Sequence, residues 1–224
     1  MRFILIPTIL TLWAVALGWQ YQVMLAYGYA AEAADAYAKA WRPHSAIALD
    51  ASRQTLLFFV HPKCPCTRAS VAELRKVLAG SDSPPAVRVI ATIPREISPS
   101  DEAWRNTPTR RDLLALPGAE VFEDVGGVEA SRFGVSTSGA VLLFSPEGTR
   151  LFGGGVTLSR GHEGDNIGAK WLGKAIAHDA RYPVSHTAPV FGCRLCLAPE
   201  AEEREGGYRQ TAMIEQPPRK VNGQ

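Results

Sequence analysis

Hydrophobic positions along this chain fall into three regimes. From Phe3 to Trp19 they run almost unbroken, interrupted by Pro7, Thr8, Thr11 and Gly18, and Val23, Met24 and Leu25 resume the run past Gln20 and Gln22. Tyr21, Tyr27 and Tyr29 close it. Roughly 20 apolar residues in a helix match the hydrocarbon thickness of a bilayer, and aromatic side chains favour its interface. The run has no polar face, so a helix lying on a soluble core is a poor fit. Arg2 and the terminal amine are the early positive charges, which keeps this end cytoplasmic and exports the rest. Residues 3–25 are therefore expected to anchor the chain. The small residues Gly28, Ala30 and Ala31 leave a second reading open, a cleaved signal peptide and a secreted product.

The second regime alternates short apolar runs with helical stripes. Thr55-Leu-Leu-Phe-Phe-Val60 reads as a strand buried on both faces. Val71, Leu74, Val77 and Leu78 then form one stripe, with Glu73, Arg75 and Lys76 outside it, and Gly80 and Pro84-Pro85 end that helix. Val87–Ile93 is a second buried strand, ended by Pro94. Residues 101–116 carry a helical segment weakened by Pro108, and Val128–Phe133 a short one. Ala140–Phe144 and Arg150–Phe152 flank Pro146-Glu-Gly148 as a hairpin. Asn166–Ala180 is an amphipathic helix, capped by Asp165 or Asn166. A crossover helix makes the first two strands parallel, and the hairpin adds antiparallel ones. The fold class is α/β.

The third regime, beyond Tyr182-Pro183, is rich in Pro, Glu and Arg, and residues 199–224 read as disordered. The expected organisation is a membrane segment at 1–31, a juxtamembrane stalk at 32–44 ended by Pro43, an α/β domain at 45–182 and an irregular Cys-containing tail at 183–224. A chain of 224 residues is enough for one or two domains, and an apolar share of 46% excludes wholesale disorder. A net charge of +2, with no Lys/Arg cluster interleaved with aromatics, argues against a nucleic-acid partner. The sequence shows no internal repeat, P-loop or dinucleotide fingerprint.

The chemistry sits at the first strand-to-helix turn, His61-Pro-Lys-Cys-Pro-Cys-Thr67. A helix N-terminus offers unpaired N–H groups and the positive end of the helix dipole, which favour a thiolate. A nucleophilic cysteine needs that lowered thiol pKa, and Lys63 adds to the effect. With the stretch Leu57–Leu74 and the hairpin region Phe133–Phe144, the chain resembles the thioredoxin-like family. It is most similar to membrane-anchored bacterial thiol–disulfide proteins of TlpA/ResA or RedB-like type. The resemblance covers about residues 50–180. It implies a thioredoxin-like mixed sheet flanked by helices behind an N-terminal transmembrane helix. It also implies a single-pass protein of the bacterial inner membrane with its soluble domain in the periplasm, and Cys64 as the nucleophile.

Two positions depart from the family pattern. Thr67 occupies the usual resolving position and Cys66 lies one residue early, and a Cys-x-Cys disulfide closes a small, strained ring that is labile and oxidising. Gly139 stands where the family has a cis-proline facing the cysteines, whose loss removes a clamp for substrate peptides and a barrier to metal binding.

The loop Gly153–Asn166 holds Arg160, His162, Glu163 and Asp165. Because the hairpin returns its second strand to the end where its first began, this loop is expected near Cys64 and Cys66. There His162 would accept a thiol proton or ligate a metal, and Arg160 would steady a thiolate. Asp165 reads as a cap, His61 as local scaffolding and His178 as a surface residue. Cys193 and Cys196 form a Cys-x-x-Cys in the tail, consistent with a second redox pair, half a metal site, or a structural staple in an oxidising compartment. Four cysteines allow three pairings, and spacing does not choose among them.

The leading expectation is an envelope thiol–disulfide oxidoreductase. Its thiolate at Cys64 attacks a protein disulfide partner, Cys66 releases the mixed disulfide, and no cofactor is required. The alternative is a copper or zinc binding or delivery module using Cys64, Cys66 and His162, with Cys193 and Cys196 as further soft ligands. Peroxidase chemistry at Cys64 or Cys66 ranks last, because His61-Pro62-Lys63 displaces the residues that chemistry needs. A purely structural envelope protein would leave both cysteine pairs unexplained.

Overall fold

The computed structural model describes residues 2–97, 101–177 and 186–195. The elements in chain order are α1 (Arg2–Tyr29), a single 3-10 turn at Ala34–Ala36, β1 (Thr55–Val60), α2 (Thr67–Ala79), β2 (Ala86–Ile93) and α3 (Glu102–Arg105). There follow α4 (Pro108–Leu114), β3 (Ala119–Val125), α5 (Val128–Arg132), β4 (Ala140–Phe144), β5 (Arg150–Gly154), α6 (Ile167–Ile176) and β6 (His186–Thr187). The strands form one six-stranded mixed sheet in the order β3-β2-β1-β4-β5-β6. β1, β2 and β3 run parallel, β4 is antiparallel to β1 and to β5, and β6 is parallel to β5.

β1 lies at the centre with all six residues buried, which is why it reads as a continuous apolar run. Its side chains alternate between two cores. Leu56, Phe58 and Val60 pack with Val71, Leu74 and Leu78 of α2, Leu113 of α4 and Leu172 and Ile176 of α6. Leu57 and Phe59 face the other way, toward Ala34, Tyr37, Ala38, Ile47, Phe133, Val190 and Leu195. One face of the sheet is thus covered largely by the segment before β1 and by the tail.

That second face changes the picture at both ends of the domain. Residues 32–44, which the sequence reads as a stalk, are packed: Tyr37 is 1% exposed. Ala38 N–H donates to the Phe133 carbonyl (2.9 Å), Trp41 N–H to that of Gly148 (2.7 Å), and Arg150 N–H to that of Lys39 (3.0 Å). The Trp41 ring meets Phe133 and Phe144 edge-on at 5.3 and 5.2 Å. Likewise, residues 186–195 of the expected irregular tail add β6 to the sheet edge and place Val190 and Leu195 in the core. The tail comes so close because β5 ends in glycines. A Cβ on Gly154 would lie 2.4 Å from the Ala188 carbonyl oxygen, and one on Gly155 would lie 2.7 Å from that of Pro189.

The helical segment expected at 101–116 is two short helices. Asp101 caps the first, and Pro108 is the first residue of the second, where its missing N–H costs nothing, behind the Thr107 cap. Asn166, not Asp165, caps α6, its side-chain oxygen accepting from Ala169 N–H at 2.7 Å. Glu73, expected outside the apolar stripe, is 5% exposed, because its carboxylate accepts from Gly164 N–H (2.9 Å) and Lys76 Nζ (2.8 Å). Those bonds fix the loop after β5 onto α2.

Helix α1 is exposed along the described part of its length apart from half-buried Leu25 and Gly28, and its span Ile6–Tyr29 has a mean hydropathy of 1.3, long and apolar enough to cross a membrane.

Candidate active site

Three sulfurs meet at the C-terminal end of β1. Cys64 sits in the turn after that strand and Cys66 immediately precedes α2. The turn is closed by Cys64 N–H donating to the His61 carbonyl (2.9 Å) and Thr67 N–H to that of Cys64 (3.3 Å). Cys193 arrives from the tail and places its Sγ 3.0 Å from that of Cys64. The ligand atoms of Cys64, Cys66 and Cys193 all lie within 4.8 Å of one another, and among the described residues no histidine joins this group. All three are free thiols.

The environment distinguishes them. Burial pushes the Cys64 thiol up, but hydrogen bonds from the Cys193 thiol, the Thr67 hydroxyl and the backbone N–H groups of Cys193 and Thr67 outweigh it, and its pKa lies below the ordinary thiol value. Burial raises Cys66, and the neighbouring Cys64 sulfur raises it further, against the lowering effect of Arg160. Cys193 is pushed up to about 12 by burial, by its hydrogen bond to Cys64 and by the charge there, with Arg160 again opposing. Of the three thiols, Cys64 is therefore the one that ionises most readily.

After the Cys193 thiol, the Thr67 hydroxyl contributes most to the lowering of the Cys64 pKa, and Ser138 orients it. Ser138 Oγ accepts from His61 N–H (2.8 Å) and lies 2.8 Å from Thr67 Oγ1. With Ser138 donating to Thr67, the Thr67 hydroxyl proton is free to point at the Cys64 sulfur. Thr67→Val should remove that donor, and a hydrogen bond to a charged group contributes on the order of 1.5 kcal/mol. The expected result is a rise in the Cys64 pKa and an approximately tenfold fall in its thiolate fraction at neutral pH. Ultraviolet thiolate absorbance as a function of pH measures it. An unchanged titration would remove Thr67 from the account.

The loop after β5 lies where topology puts it. Gly161 faces Cys66, a Cβ there falling 3.9 Å from its sulfur. Arg160 acts on Cys66 and Cys193 electrostatically, while its guanidinium carbon sits 4.7 Å above the Tyr27 ring and its backbone N–H donates to the Gly28 carbonyl (3.0 Å). Arg160 Nε is buried without a hydrogen-bond partner. His162 is exposed, with Nδ1 2.8 Å from the Arg160 carbonyl oxygen. His61 packs edge-on against Trp104 at 5.2 Å, and Lys63 lies over the same ring at 4.4 Å. Burial holds His61 below its ordinary pKa. Cys196 and His178 lie outside the described residues.

Gly139 has φ +98, a value closed to proline, and its N–H donates to the Phe59 carbonyl at 2.8 Å. That residue immediately precedes β4, which pairs with β1. Sequence reasoning missed Ser138 and left the place of Cys193 open; the Ser-Gly step before β4 is the local signal for the former.

A parallel strand–helix–strand unit with cysteines at its first turn, followed by an antiparallel hairpin and a closing helix, decides the architecture. The fold is thioredoxin-like. No protein-family model matches the chain, and comparison with curated proteins finds no match. Among solved structures, a hypothetical protein of Sinorhizobium meliloti 1021 superposes with a TM-score of 0.53 at 17% identity, over 74% of this chain and 98% of that one. An uncharacterized conserved protein from Geobacillus kaustophilus gives 0.55 at 13% identity, over 77% and 98%. A secreted Mycobacterium tuberculosis disulfide oxidoreductase homologous to E. coli DsbE gives 0.39 at 18% identity, over 58% and 84%. On this thioredoxin-like scaffold, the cysteine turn lies at the carboxyl end of the central strand, where helix α2 directs its first N–H groups.

Proposed function

We propose that this protein is a membrane-anchored thiol–disulfide oxidoreductase of the bacterial cell envelope. The carrying observation is the polarised thiol cluster, with hydrogen bonds that favour ionisation of Cys64 and a second thiol 3.0 Å away. A thiolate attacks one sulfur of a partner's disulfide, the partner's other sulfur leaves as a thiolate, and a mixed disulfide forms. A neighbouring thiol on this chain then attacks the Cys64 sulfur and releases the partner reduced. Both Cys66 and Cys193 are within reach. Arg160, held between Tyr27 and the sulfurs, favours the thiolate that each resolver must become. Helix α1 serves as the anchor, and its contact with the Arg160 loop would hold the site near the membrane surface.

The test uses the full chain in detergent, reduced and then mixed with glutathione disulfide. Release of glutathione with oxidation of Cys64 is the expected result. Cysteines that stay reduced while the protein is folded would contradict the reading.

A second reading, a copper or zinc module, is favoured by the three-sulfur cluster. Three soft thiolates suit Cu(I) better than Zn(II), which takes four ligands in structural sites. Stoichiometric copper that disappears in Cys64→Ser and survives His162→Ala would favour it.

A further inference from the structure

We propose that Cys193 is the resolving thiol of Cys64, carried onto it by a strand of the chain's own tail, so that the working disulfide is Cys64–Cys193 rather than Cys64–Cys66. This rests on Cys64 being the attacking thiolate and adds the identity of its exchange partner.

The tail is built into the site by backbone pairing. Ser138 N–H donates to the Cys193 carbonyl (2.8 Å), Leu195 N–H donates to the Ser136 carbonyl (2.7 Å), and Thr137 and Arg194 form an antiparallel bridge between them. Gly192 makes the approach feasible, since a Cβ there would fall 1.8 Å from the Ser138 carbonyl oxygen. Upstream, Val190 and Glu32 exchange N–H···O bonds of 2.9 and 3.0 Å, and Leu195 is buried in the core. The segment is therefore held on both sides of Cys193. Beneath it Cys64 is 1% exposed, so the tail covers the nucleophile as well as contacting it. Cys66, two residues from Cys64, would close a strained ring, whereas Cys193 closes a long loop with its sulfur already in contact.

The cycle follows. The tail strand lifts, a partner disulfide reaches Cys64, and the Cys64 thiolate forms a mixed disulfide as the partner's second sulfur departs as a thiolate. The tail pairs again with residues 136–138, Cys193 gives up its proton, and its thiolate attacks the Cys64 sulfur. The Cys64–Cys193 bond forms, the bond to the partner breaks, and the partner leaves with both sulfurs reduced. Two electrons pass from this chain to the partner disulfide.

Glutathione disulfide added to the reduced full chain in detergent tests this. Trypsin cuts after Lys63, Arg68, Arg181 and Arg194, which separates Cys193 from Cys196. The expected product is a disulfide joining peptide 64–68 to peptide 182–194, retained in Cys66→Ser and in Cys196→Ser. In Cys193→Ser that link should vanish and a Cys64–glutathione adduct accumulate. Gly192→Ala should have opposite effects on the two steps, faster adduct formation at the uncovered Cys64 and slower internal closure. An internal Cys64–Cys66 disulfide with Cys193 free, or clearance of the adduct in Cys193→Ser as fast as in the parent, would overturn the proposal. A Cys64 that acquires neither glutathione nor an internal partner in any of these variants would instead refute the thiolate reading on which it rests.

Discussion

Cys64→Ser is expected to abolish disulfide exchange by the full chain, leaving the background rate of the probe alone. The reason is electrostatic rather than positional. Three thiols share the site, yet Cys64 is the one whose sulfur receives the Thr67 hydroxyl and the backbone N–H groups of Thr67 and Cys193. Burial shifts both Cys66 and Cys193 upward, so the thiols that remain when Cys64 is gone ionise less readily than an ordinary cysteine. Removing the Cys64 charge also relieves one cause of their elevation, and alkaline pH should therefore restore part of the reactivity to the variant. Cys66→Ser should retain most of the parent rate. Stopped-flow mixing with glutathione disulfide distinguishes these outcomes, and a Cys64→Ser protein as fast as the parent at neutral pH would remove the nucleophile assignment.

The second large effect concerns stability. Phe133 is fully buried and lies between the rings of Trp41, Phe59 and Phe144, at 5.3, 6.0 and 5.8 Å, while its carbonyl accepts from Ala38 N–H. It joins the segment before β1 to the sheet. Phe133→Ala should cost about 3–5 kcal/mol from lost burial and the cavity left behind. For a chain of this size that lowers the melting temperature by roughly 10 °C. The damage should extend to the site, because Ser136 lies three residues on and its carbonyl accepts the tail's Leu195 N–H. Thermal unfolding of the full chain in detergent, followed by near-ultraviolet circular dichroism, measures the loss. A shift of only a degree or two would mean that the second core is not holding the domain together.

Where burial is encoded locally, the fold was readable. Thr55–Val60, the helix stripe from Val71 to Leu78 and the hairpin around Pro146-Glu-Gly148 each announce themselves by period or by a turn. β3 did not, because Glu120, Glu123 and Asp124 interrupt it and an edge strand needs only one neighbour. Nor did the packing of Tyr37 and Trp41, whose partners lie around 133–150. The site divides in the same way. Cys64 and Cys66 are legible from a buried strand followed by a helix start, and hairpin topology brings the Arg160 loop to them. Glu73 looked like a solvated charge because its partner is the backbone of Gly164, ninety-one positions away. Cys193 is placed by backbone bonds between 192–195 and 136–138, pairing that leaves no period in either segment.

The most direct measurement is a pH titration of thiolate absorbance in the full-length protein, taken as a difference against Cys64→Ser. A lowered folded-state pKa means that the first thiolate appears at a pH below the ordinary thiol range, while Cys193 stays protonated until about 12. The account predicts that this early step is present in the parent, kept in Cys66→Ser and absent from Cys64→Ser. An early step that survives in Cys64→Ser and disappears from Cys66→Ser would contradict it.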